Sequence, residues 1–446
     1  MDLRFYNTLT RQIEPFTPLI QGKVSMYHCG PTVYDYTHIG NLRSFLLSDL
    51  LRRACELSGL EVKQVMNITD VDDKTIRRSR EEGVTLQELT ERYLNAFISD
   101  IGSMNIQSAK QMPRATDNVN LMISLIEKLL EKGFAYQGED GIYFSIEKDQ
   151  HYGVLAGLTL DREMRERIKN DEYDKDNPQD FALWKFYSEE DGTVVWDAPF
   201  GRGRPGWHIE CSAMSMDALG ETFDIHTGGV DLIFPHHTNE IAQSESATGV
   251  PFVKTWLHNN FILVDGKKMS KSLGNILTLR ELGEKGFSPL SYRYLLLTAH
   301  YRTLLNFTWE SLEAANNALS KLTATSAQLP DEGAVDLTYK TNFEHFMGND
   351  LDTPRAIALM WDMLKDENIS LPDKKATLLY FDKIFGLSLH SARKPEIPEE
   401  ILELAQKREH ARKSKDWALS DELREKIESA GYSVRDTDNG PKVDKR

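Results

Sequence analysis

The chain has 446 residues, 40% hydrophobic and 27% charged, and its net charge of −16 argues against a general affinity for nucleic acid. No apolar run approaches the length of a membrane span, and the N-terminal MDLRFYNTLTRQ lacks the basic flank and apolar stretch of a secretory signal. Three widely spaced cysteines favour a cytoplasmic protein without a disulfide framework, and the length favours two to four domains.

The first part of the chain alternates strand and helix patterns. Residues 23–29 (KVSMYHC) are predicted as a strand, residues 38–57 as a helix, and residues 61–69 (EVKQVMNIT) as the next strand. A strand–helix–strand unit favours a parallel sheet, so the predicted fold class is α/β. Cys55 lies among the apolar positions of the helix and is interpreted as a core residue.

The pattern changes after a further helix. A capping box, TLQE, predicts that this helix begins after Thr85, with Leu89 and Phe97 inward. A helix at 118–133, a hairpin at 134–146 and a charged, proline-containing stretch follow. This region is interpreted as an insertion into the sheet domain.

The sheet pattern then resumes in three segments, at 206–219, 222–234 and 252–264. From about residue 308 onward the patterns are helical, and residues 392–400 (ARKPEIPEE) are predicted as a linker before a final helical unit.

Two segments carry groups suited to phosphate. HIGN (38–41) lies at a strand-to-helix junction, where helix N–H groups attract anions, Gly40 permits close approach, and His38 and Asn41 can donate hydrogen bonds. A capped helix with a buried histidine explains these four residues as well. In DGKKMSKSLGN (265–275), the lysines are placed to neutralise charge on a leaving pyrophosphate, although an exposed basic turn is the alternative.

A possible metal site starts from IFPHHTNEIAQSES (233–246). On a helix, His236 and Glu240 share a face, and so do His237 and Glu240. Cys29 and Cys211 are candidates for completing the set, and thiolate plus imidazole favours zinc. The spacing is not local, so it neither excludes an ordinary polar surface nor decides between the histidines.

HIGN and KMSKS, in this order, resemble the two signatures of class I aminoacyl-tRNA synthetases, His-Ile-Gly-His and Lys-Met-Ser-Lys-Ser. The second is matched in full at 268–272, whereas the first ends in Asn41, which can donate to a phosphate oxygen but carries no charge. The resemblance implies ATP binding, with Mg²⁺ accompanying ATP. It assigns catalysis to His38, Asn41, Lys268 and Lys271, and ATP binding to the same four residues and Gly40.

Further segments narrow the resemblance to the cysteinyl-tRNA synthetases, over residues 5 to 310. They are 27–41, 67–74, 180–185, 203–214, 224–246 and 268–275. The resemblance implies one zinc ion and excludes His237 as a ligand. The zinc ligands would be Cys29, Cys211, His236 and Glu240. The substrate contacts would be Gly30, Thr69, Trp207 and Asp231.

The implied reaction is ATP-dependent ligation of L-cysteine to tRNA(Cys) through a cysteinyl-adenylate. Because zinc prefers a thiolate to an alcohol, it would separate cysteine from serine. One alternative is a cysteine ligase with an amino-sugar acceptor, as in mycothiol synthesis. Another is a non-catalytic relative that binds tRNA or metal. The resemblance implies L-cysteine, ATP and tRNA(Cys) as partners, no membrane association, and a monomer.

The C-terminal part resembles the same family. Residues 347–364 resemble its helical bundle, and residues 408–443 resemble its small anticodon-reading domain, which gives the basic stretch 407–415 a role in phosphate contact. The chain departs from the family at Thr227, where a third glycine is usual, and at Thr238, where an acid is usual. It ends in GPKVDKR instead of a sequence near Gly-Thr-x-Trp.

The predicted organisation is Rossmann-like. A parallel-sheet catalytic domain lies in two halves around a connective insertion, and a KMSKS-loop region, a helical bundle and an anticodon-binding domain follow. The predicted boundaries are 1–115 and 201–255 for the two halves, 116–200 for the insertion, 256–310 for the loop region, 311–392 for the bundle, and 393–446 for the last domain.

Overall fold

A computed structural model of the chain describes residues 1–158, 180–270, 273–393, 398–437 and 440–445. The described residues form two compact units, one within residues 1–322 and 329–390, the other within residues 323–328 and 391–446. Within the described ranges, no helix is long and apolar enough to cross a bilayer.

The strands of the first unit carry the numbering used below. In chain order they are β1 (Arg4–Asn7), β2 (Gln12–Pro15), β3 (Lys23–His28), β4 (Glu61–Met66), β5 (Ala135–Gln137), β6 (Gly141–Phe144), β7 (Phe181–Phe186), β8 (Gly203–Pro205), β9 (Phe223–Gly229), β10 (Val253–Asn259), β11 (Ile262–Val264), β12 (Lys267–Lys268) and β13 (Leu305–Phe307).

The α-helices are numbered in the same way, and residues 323–328 of α9 belong to the second unit. In chain order they are α1 (Ile39–Leu57), α2 (Asp73–Glu82), α3 (Leu86–Ser103), α4 (Val119–Glu131), α5 (Trp207–Leu219), α6 (Thr238–Thr248), α7 (Leu279–Glu284), α8 (Pro289–Leu297), α9 (Trp309–Gln328), α10 (Leu337–Gly348), α11 (Thr353–Lys365) and α12 (Leu371–Phe385).

The central sheet is parallel, with strand order β10–β9–β3–β4. His28 pairs with Thr227 and with Met66, so the carboxyl ends of three strands meet at one edge. α1 packs on this sheet and buries Leu42, Leu46 and other apolar side chains. The predicted Rossmann-like α/β class is confirmed, since parallel strands joined by helical crossovers produce this arrangement.

Several predicted elements have the expected form. Strand 23–29 is β3, the helix after HIGN is α1, and α3 begins at the capping box of Thr85 and Glu88. Segment 206–219 is a helix, α5, although the sheet pattern was predicted to resume there. Small residues such as Ala213 let α5 pack against α4 and α6 on the buried side.

The inserted region contains α4 and an antiparallel sheet of order β5–β6–β7–β8. The predicted hairpin is β5–β6, in which Ala135 pairs with Phe144. Residues 159–179, which carry part of the predicted charged stretch, lie outside the described residues. β8 pairs with β7 although it follows residue 200, so the strands of this sheet extend past the predicted boundary.

The helical region that follows is tied to α1 by buried charges. Arg293 donates to Asp49 at 2.6 Å and to the carbonyl of Phe385 at 2.6 Å, and Arg53 donates to the same carboxylate at 2.8 Å. An aspartate between two guanidinium groups keeps each buried charge paired. The middle of α8, the middle of α1 and the end of α12 are therefore held together.

The second unit is small and has its own apolar core. Its elements are α13 (Glu399–Lys413), α14 (Trp417–Ser429) and an antiparallel hairpin of β14 (Tyr432–Thr437) and β15 (Gly440–Lys445). Ile401, Ala405, Ile427, Val434 and Val443 are buried between these elements.

Candidate active site

A cavity of about 390 Å³ opens at the carboxyl ends of β3, β9 and β10. This edge of an open α/β sheet is where such folds bind ligands. The cavity brings together segments that are far apart in sequence. Its walls include His38, Asn41, Trp207, Asp231 and Lys268, all predicted site residues.

His38 caps α1, and its ring sets the hydrogen bonds of the HIGN segment. Its Nδ1 accepts from the backbone N–H of Asn41 at 3.2 Å, so a neutral ring carries its proton on Nε2. Burial lowers the pKa of His38 below its ordinary value, although Asp231 opposes this shift. The neutral imidazole is thus a hydrogen-bond donor through Nε2, and Asn41 retains its side-chain amide for a ligand.

Close packing explains the glycine of this segment. A Cβ on Gly40 would lie 2.5 Å from Cε of Met269 and 3.1 Å from the ring of His38. A larger residue would force the side chain of Met269 to move away from the start of α1. The two signatures are therefore in contact, as they would be if both reached one ATP molecule.

Lys268 lies at the end of β12, and its Nζ is 5.2 Å from the ring centre of Phe261. This cation–π contact holds an exposed lysine beside the cavity. Lys271, the other predicted catalytic lysine, lies outside the described residues.

The four predicted metal ligands converge from distant segments. Their ligand atoms lie within 4.8 Å of one another, and all four side chains are buried. The Sγ atoms of Cys29 and Cys211 are 3.7 Å apart. Oε1 of Glu240 is 3.7 Å from Sγ of Cys29 and 3.1 Å from Nε2 of His236.

These separations fit a tetrahedral zinc shell. With Zn–S near 2.3 Å and Zn–N or Zn–O near 2.0 Å, tetrahedral geometry separates two sulfurs by about 3.8 Å, sulfur and oxygen by about 3.5 Å, and nitrogen and oxygen by about 3.3 Å. The observed distances for the same pairs are 3.7, 3.7 and 3.1 Å. Two thiols, an imidazole and a carboxylate also have the chemistry of a zinc site.

A second group of potential ligands overlaps the first. It comprises Cys29, His226, His237 and Glu240. His237 Nε2 is 3.3 Å from Sγ of Cys29, and its Nδ1 is 2.7 Å from Nε2 of His258. This group has one thiol where the first has two, so the first is the set richer in the soft ligands that select zinc over hard cations.

Two of the four ligand groups, Cys211 and Glu240, favour their ionised forms. Burial and a hydrogen bond with Cys211 raise the pKa of Cys29. Burial alone would lower the pKa of His236, but Glu240 and Cys211 together outweigh burial and raise this pKa to about 10. Burial alone would raise the pKa of Glu240, but the neighbouring His226 and His236 together outweigh burial and lower this pKa to about 2. Burial likewise raises the pKa of Cys211, and its hydrogen bonds with Cys29 and His236 then bring it to about 6. A thiolate and a carboxylate are the forms that ligate metal.

Three of the predicted substrate residues, Gly30, Trp207 and Asp231, line the cavity, and the fourth, Thr69, is buried. Trp207 is 40% exposed, and its ring stacks on His236 with centroids 4.2 Å apart. Gly30 also lines the cavity, and a Cβ there would lie 1.6 Å from the carbonyl oxygen of Asn67. Thr69 is buried, with its hydroxyl donating to Oε2 of Glu210 at 2.9 Å.

Comparison with known proteins assigns the family. Residues 15–317 match the family described as "tRNA synthetases class I (C) catalytic domain", and residues 394–442 match the "Cysteinyl-tRNA ligase anticodon binding domain". The chain belongs to the cysteinyl-tRNA ligase family. The resemblance drawn from its sequence motifs is confirmed, and with it the prediction that the chain is an enzyme of the aminoacyl-tRNA synthetase class.

Relatives match along the whole chain. A cysteine–tRNA ligase of Protochlamydia amoebophila (strain UWE25) is 45% identical over 468 residues, covering 100% of this chain and 98% of its own. One of Methanosarcina acetivorans is 45% identical over 470 residues, with 99% of each chain covered. A solved structure of Mycobacterium tuberculosis methionyl-tRNA synthetase with methionyl-adenylate has a TM-score of 0.59 at 16% identity. It covers 86% of this chain and 94% of that one, and it shows a shared fold.

The two threonine departures are both buried beside the metal cluster. Thr227 Oγ1 is 2.6 Å from Nδ1 of His28, across the β3–β9 pair. Thr238 Oγ1 donates to the carbonyl of Ile233 at 2.7 Å. The second bond closes the irregular turn that presents His236, so this threonine supports the turn without adding a charge.

The predicted phosphate-binding stretch 407–415 is largely paired within its own unit. Arg408 is buried and forms two hydrogen bonds to Asp436, at 2.7 and 3.2 Å. Lys407 and Lys413 pair with glutamates one turn earlier on α13, and Arg412 also reaches Asp436. These ion pairs reduce the positive charge that this face offers to a phosphate.

Three functional candidates escaped the sequence reasoning. His226 and His258 belong to the histidine cluster, and Lys74 lines the cavity. The histidines are buried on β9 (FDIHTGG) and β10 (VKTWLHN), and buried strand histidines are also typical of a protein core. Lys74 is the last residue of NITDVDDK (67–74). This segment supports the family resemblance, but the sequence assigned no role to its lysine.

Proposed function

We propose that the chain attaches L-cysteine to tRNA(Cys) in two steps at the described cavity. The cysteine carboxylate attacks the α-phosphate of ATP, which gives cysteinyl-adenylate and pyrophosphate. The terminal ribose hydroxyl of tRNA then attacks the activated carbonyl and releases AMP. The observation that carries the proposal is the convergence of both signatures and a sulfur-rich cluster on one cavity, in a chain of this family.

Positioning and hydrogen bonding are the proposed catalytic contributions of the first step. Nε2–H of His38 and the amide of Asn41 bind phosphate oxygens at the start of α1, while Lys268 and Lys271 neutralise charge on the departing pyrophosphate. Gly40 admits ATP against the backbone, and Mg²⁺ accompanies ATP. No side chain acts as a nucleophile.

Cysteine is bound at the other wall of the cavity. We assign its ammonium to Asp231 and one face of its side chain to Trp207. Gly30 lets the cavity wall pack against the backbone carbonyl of Asn67, and we assign Thr69 a supporting role through its hydrogen bonds with Asn67 and Glu210.

Cys29, Cys211, His236 and Glu240 are the residues that would hold zinc. Bound there, zinc would supply affinity for a thiolate over an alcohol, which is the difference between cysteine and serine. Ionised Cys211 and Glu240 suit this role, and Cys29 alone of the four lines the cavity.

tRNA is favoured over an amino-sugar acceptor because residues 394–442 match an anticodon-binding domain. We also propose that the protein functions as a monomer in the cytoplasm. The resemblance supports the monomer, and the three widely spaced cysteines support the cytoplasm. A measured molar mass near 51.0 kDa in solution would support the monomer.

Cysteine-dependent exchange of pyrophosphate into ATP, followed by charging of tRNA(Cys), tests the proposal. We expect both activities. Exchange without charging would indicate the amino-sugar ligase, and a folded, zinc-loaded protein without exchange would indicate a non-catalytic relative.

The ligand assignment has its own test. Cys211→Ser should lose zinc, measured by elemental analysis, and should lose exchange with it. Cys55→Ala is the matched control, because Cys55 is buried in α1 outside the cluster and should leave zinc content unchanged. Normal zinc in folded Cys211→Ser would overturn the assignment.

A further inference from the structure

The cavity has a second lysine besides Lys268. Among the described residues that line it, Lys74 is the other lysine, and it lies in the first turn of α2. α2 follows β4, the edge strand of the central sheet, whereas β12 and Lys268 follow β10 at the opposite edge. The two lysines therefore approach the cavity from opposite edges of the sheet.

The backbone that carries Lys74 is firmly held. Asp72 caps α2 by accepting from the N–H of Thr75 at 2.7 Å. Asp73 bonds to Nζ of Lys185 at 2.7 Å and to the guanidinium of Arg204, so the helix start is fixed to β7 and β8. Lys74 points from a rigid element, as a binding residue should.

The side chain of Lys74 is exposed and close to an aromatic ring. Its Nζ is 5.5 Å from the ring centre of Tyr34, which also lines the cavity. Within the described part of the chain, Lys74 forms no ion pair within 4.0 Å of a carboxylate, although Asp72 is near enough to interact with its charge. In proteins that bind single-stranded nucleic acid, basic side chains contact the phosphates and aromatic rings stack on the bases. A lysine next to a tyrosine offers both kinds of contact.

We propose that Lys74 and Tyr34 bind the single-stranded 3′ end of tRNA as it enters the cavity, Lys74 through a phosphate and Tyr34 through a stacked base. The inference rests on the proposed function, in which two phosphate-bearing substrates share one cavity. ATP is assigned to His38, Gly40 and Lys268, which lie together. The unassigned lysine at the other edge then serves the second substrate.

Lys74→Gln tests this placement, with Lys110→Gln as a control of the same charge change at an exposed lysine outside the cavity lining. Cysteine-dependent pyrophosphate exchange should stay within about twofold of wild type. Affinity for tRNA should fall about fivefold, and the salt dependence of binding should weaken by about 0.7 in logarithmic slope, as for one single-strand phosphate contact. Lys74→Arg should restore most of the affinity.

A trimmed tRNA makes the test specific. Wild type and Lys74→Gln should bind tRNA lacking its 3′ single strand equally well, and Tyr34→Leu should behave like Lys74→Gln. Equal loss with intact and trimmed tRNA would refute the placement, as would a parallel fall in exchange, which would assign Lys74 to ATP. Unchanged affinity for intact tRNA would also overturn it. Absence of exchange and charging in wild type would instead refute the proposed function.

Discussion

Replacing Arg43 by lysine should disorganise the cavity wall that carries Lys268. Arg43 lies on α1, two residues after Asn41, and is 3% exposed. Its Nη1 donates to the carbonyls of Asn260 and Phe261 at 3.0 and 2.8 Å. Its Nη2 donates to two more carbonyls, those of His300 and Thr303, at 2.9 and 2.8 Å.

The size of the effect follows from this geometry. A lysine has one nitrogen, so it can serve one of the two carbonyl pairs but not both. Two hydrogen bonds from a charged donor are lost, at about 1.5 to 3 kcal/mol each, or about 3 to 6 kcal/mol in total. Three carbonyls keep another partner, which places the expected loss of stability near the lower end.

Phe261 connects Arg43 to the activity, because its carbonyl accepts a hydrogen bond from Arg43 and its ring contacts Lys268. Asn260 and Phe261 line the cavity, and the ring of Phe261 lies under Lys268. Since a displacement of about 1 Å can cost about 100-fold in rate, we expect kcat of pyrophosphate exchange to fall at least about tenfold in Arg43→Lys. KM for cysteine should change less than about twofold, because the proposed cysteine contacts lie on the other wall.

Exchange kinetics and urea unfolding measure the two effects. Arg355→Lys is the control, because Arg355 lies on the exposed face of α11 and its ion pair should contribute less than about 1 kcal/mol. Wild-type exchange rates in Arg43→Lys would refute the idea that these carbonyl bonds position Lys268. A raised KM for cysteine with unchanged kcat would assign Arg43 to the cysteine side instead.

Two predictions concern stability. Thr227→Gly removes the buried bond to His28 and adds a strand glycine, so urea unfolding should show a loss of about 2 to 3 kcal/mol, and an unchanged midpoint would contradict this. Burial raises the pKa of Asp100 to about 6 despite Arg280, so its contribution to stability is lost as pH rises from about 4 to 6. After allowance for solvent screening, the Asp100→Asn variant should therefore be more stable than wild type by about 1 kcal/mol at pH 7.5. Near pH 4 the two proteins should be equally stable. Equal stability at both pH values would contradict the prediction.

Much of the fold could be predicted because local patterns determine it. The capping box at Thr85, the turn between β5 and β6, and the apolar spacing of α1 each report a structure formed by neighbouring residues. Segment 206–219 was harder, because α5 is buried over most of its length and has no polar face to reveal a helical period.

The candidate site divides in the same way. His38 and Lys268 lie in short motifs, so the sequence identified them. Arg43 and Lys74 gain their importance from carbonyls and rings far away in the chain, and the sequence gives no sign of those partners. The pairing of Arg408 with Asp436 was also hidden, because it depends on how β14 lies against α13.

The choice between the two overlapping ligand groups depends on the carboxylate of Glu240. His226 Nε2 is 2.9 Å from Oε2, whereas Oε1 lies near both Cys29 and His236. Ligating carboxylates are commonly held through their other oxygen by a hydrogen-bond donor. In the proposed site, His226 orients Glu240 and is not itself a ligand. Nε2 of His237 is 3.9 Å from Oε1, whereas Nε2 of His236 is 3.1 Å from it, and a tetrahedral zinc shell separates nitrogen and oxygen by about 3.3 Å. The two thiols, His236 and Oε1 are therefore the ligand set that we propose.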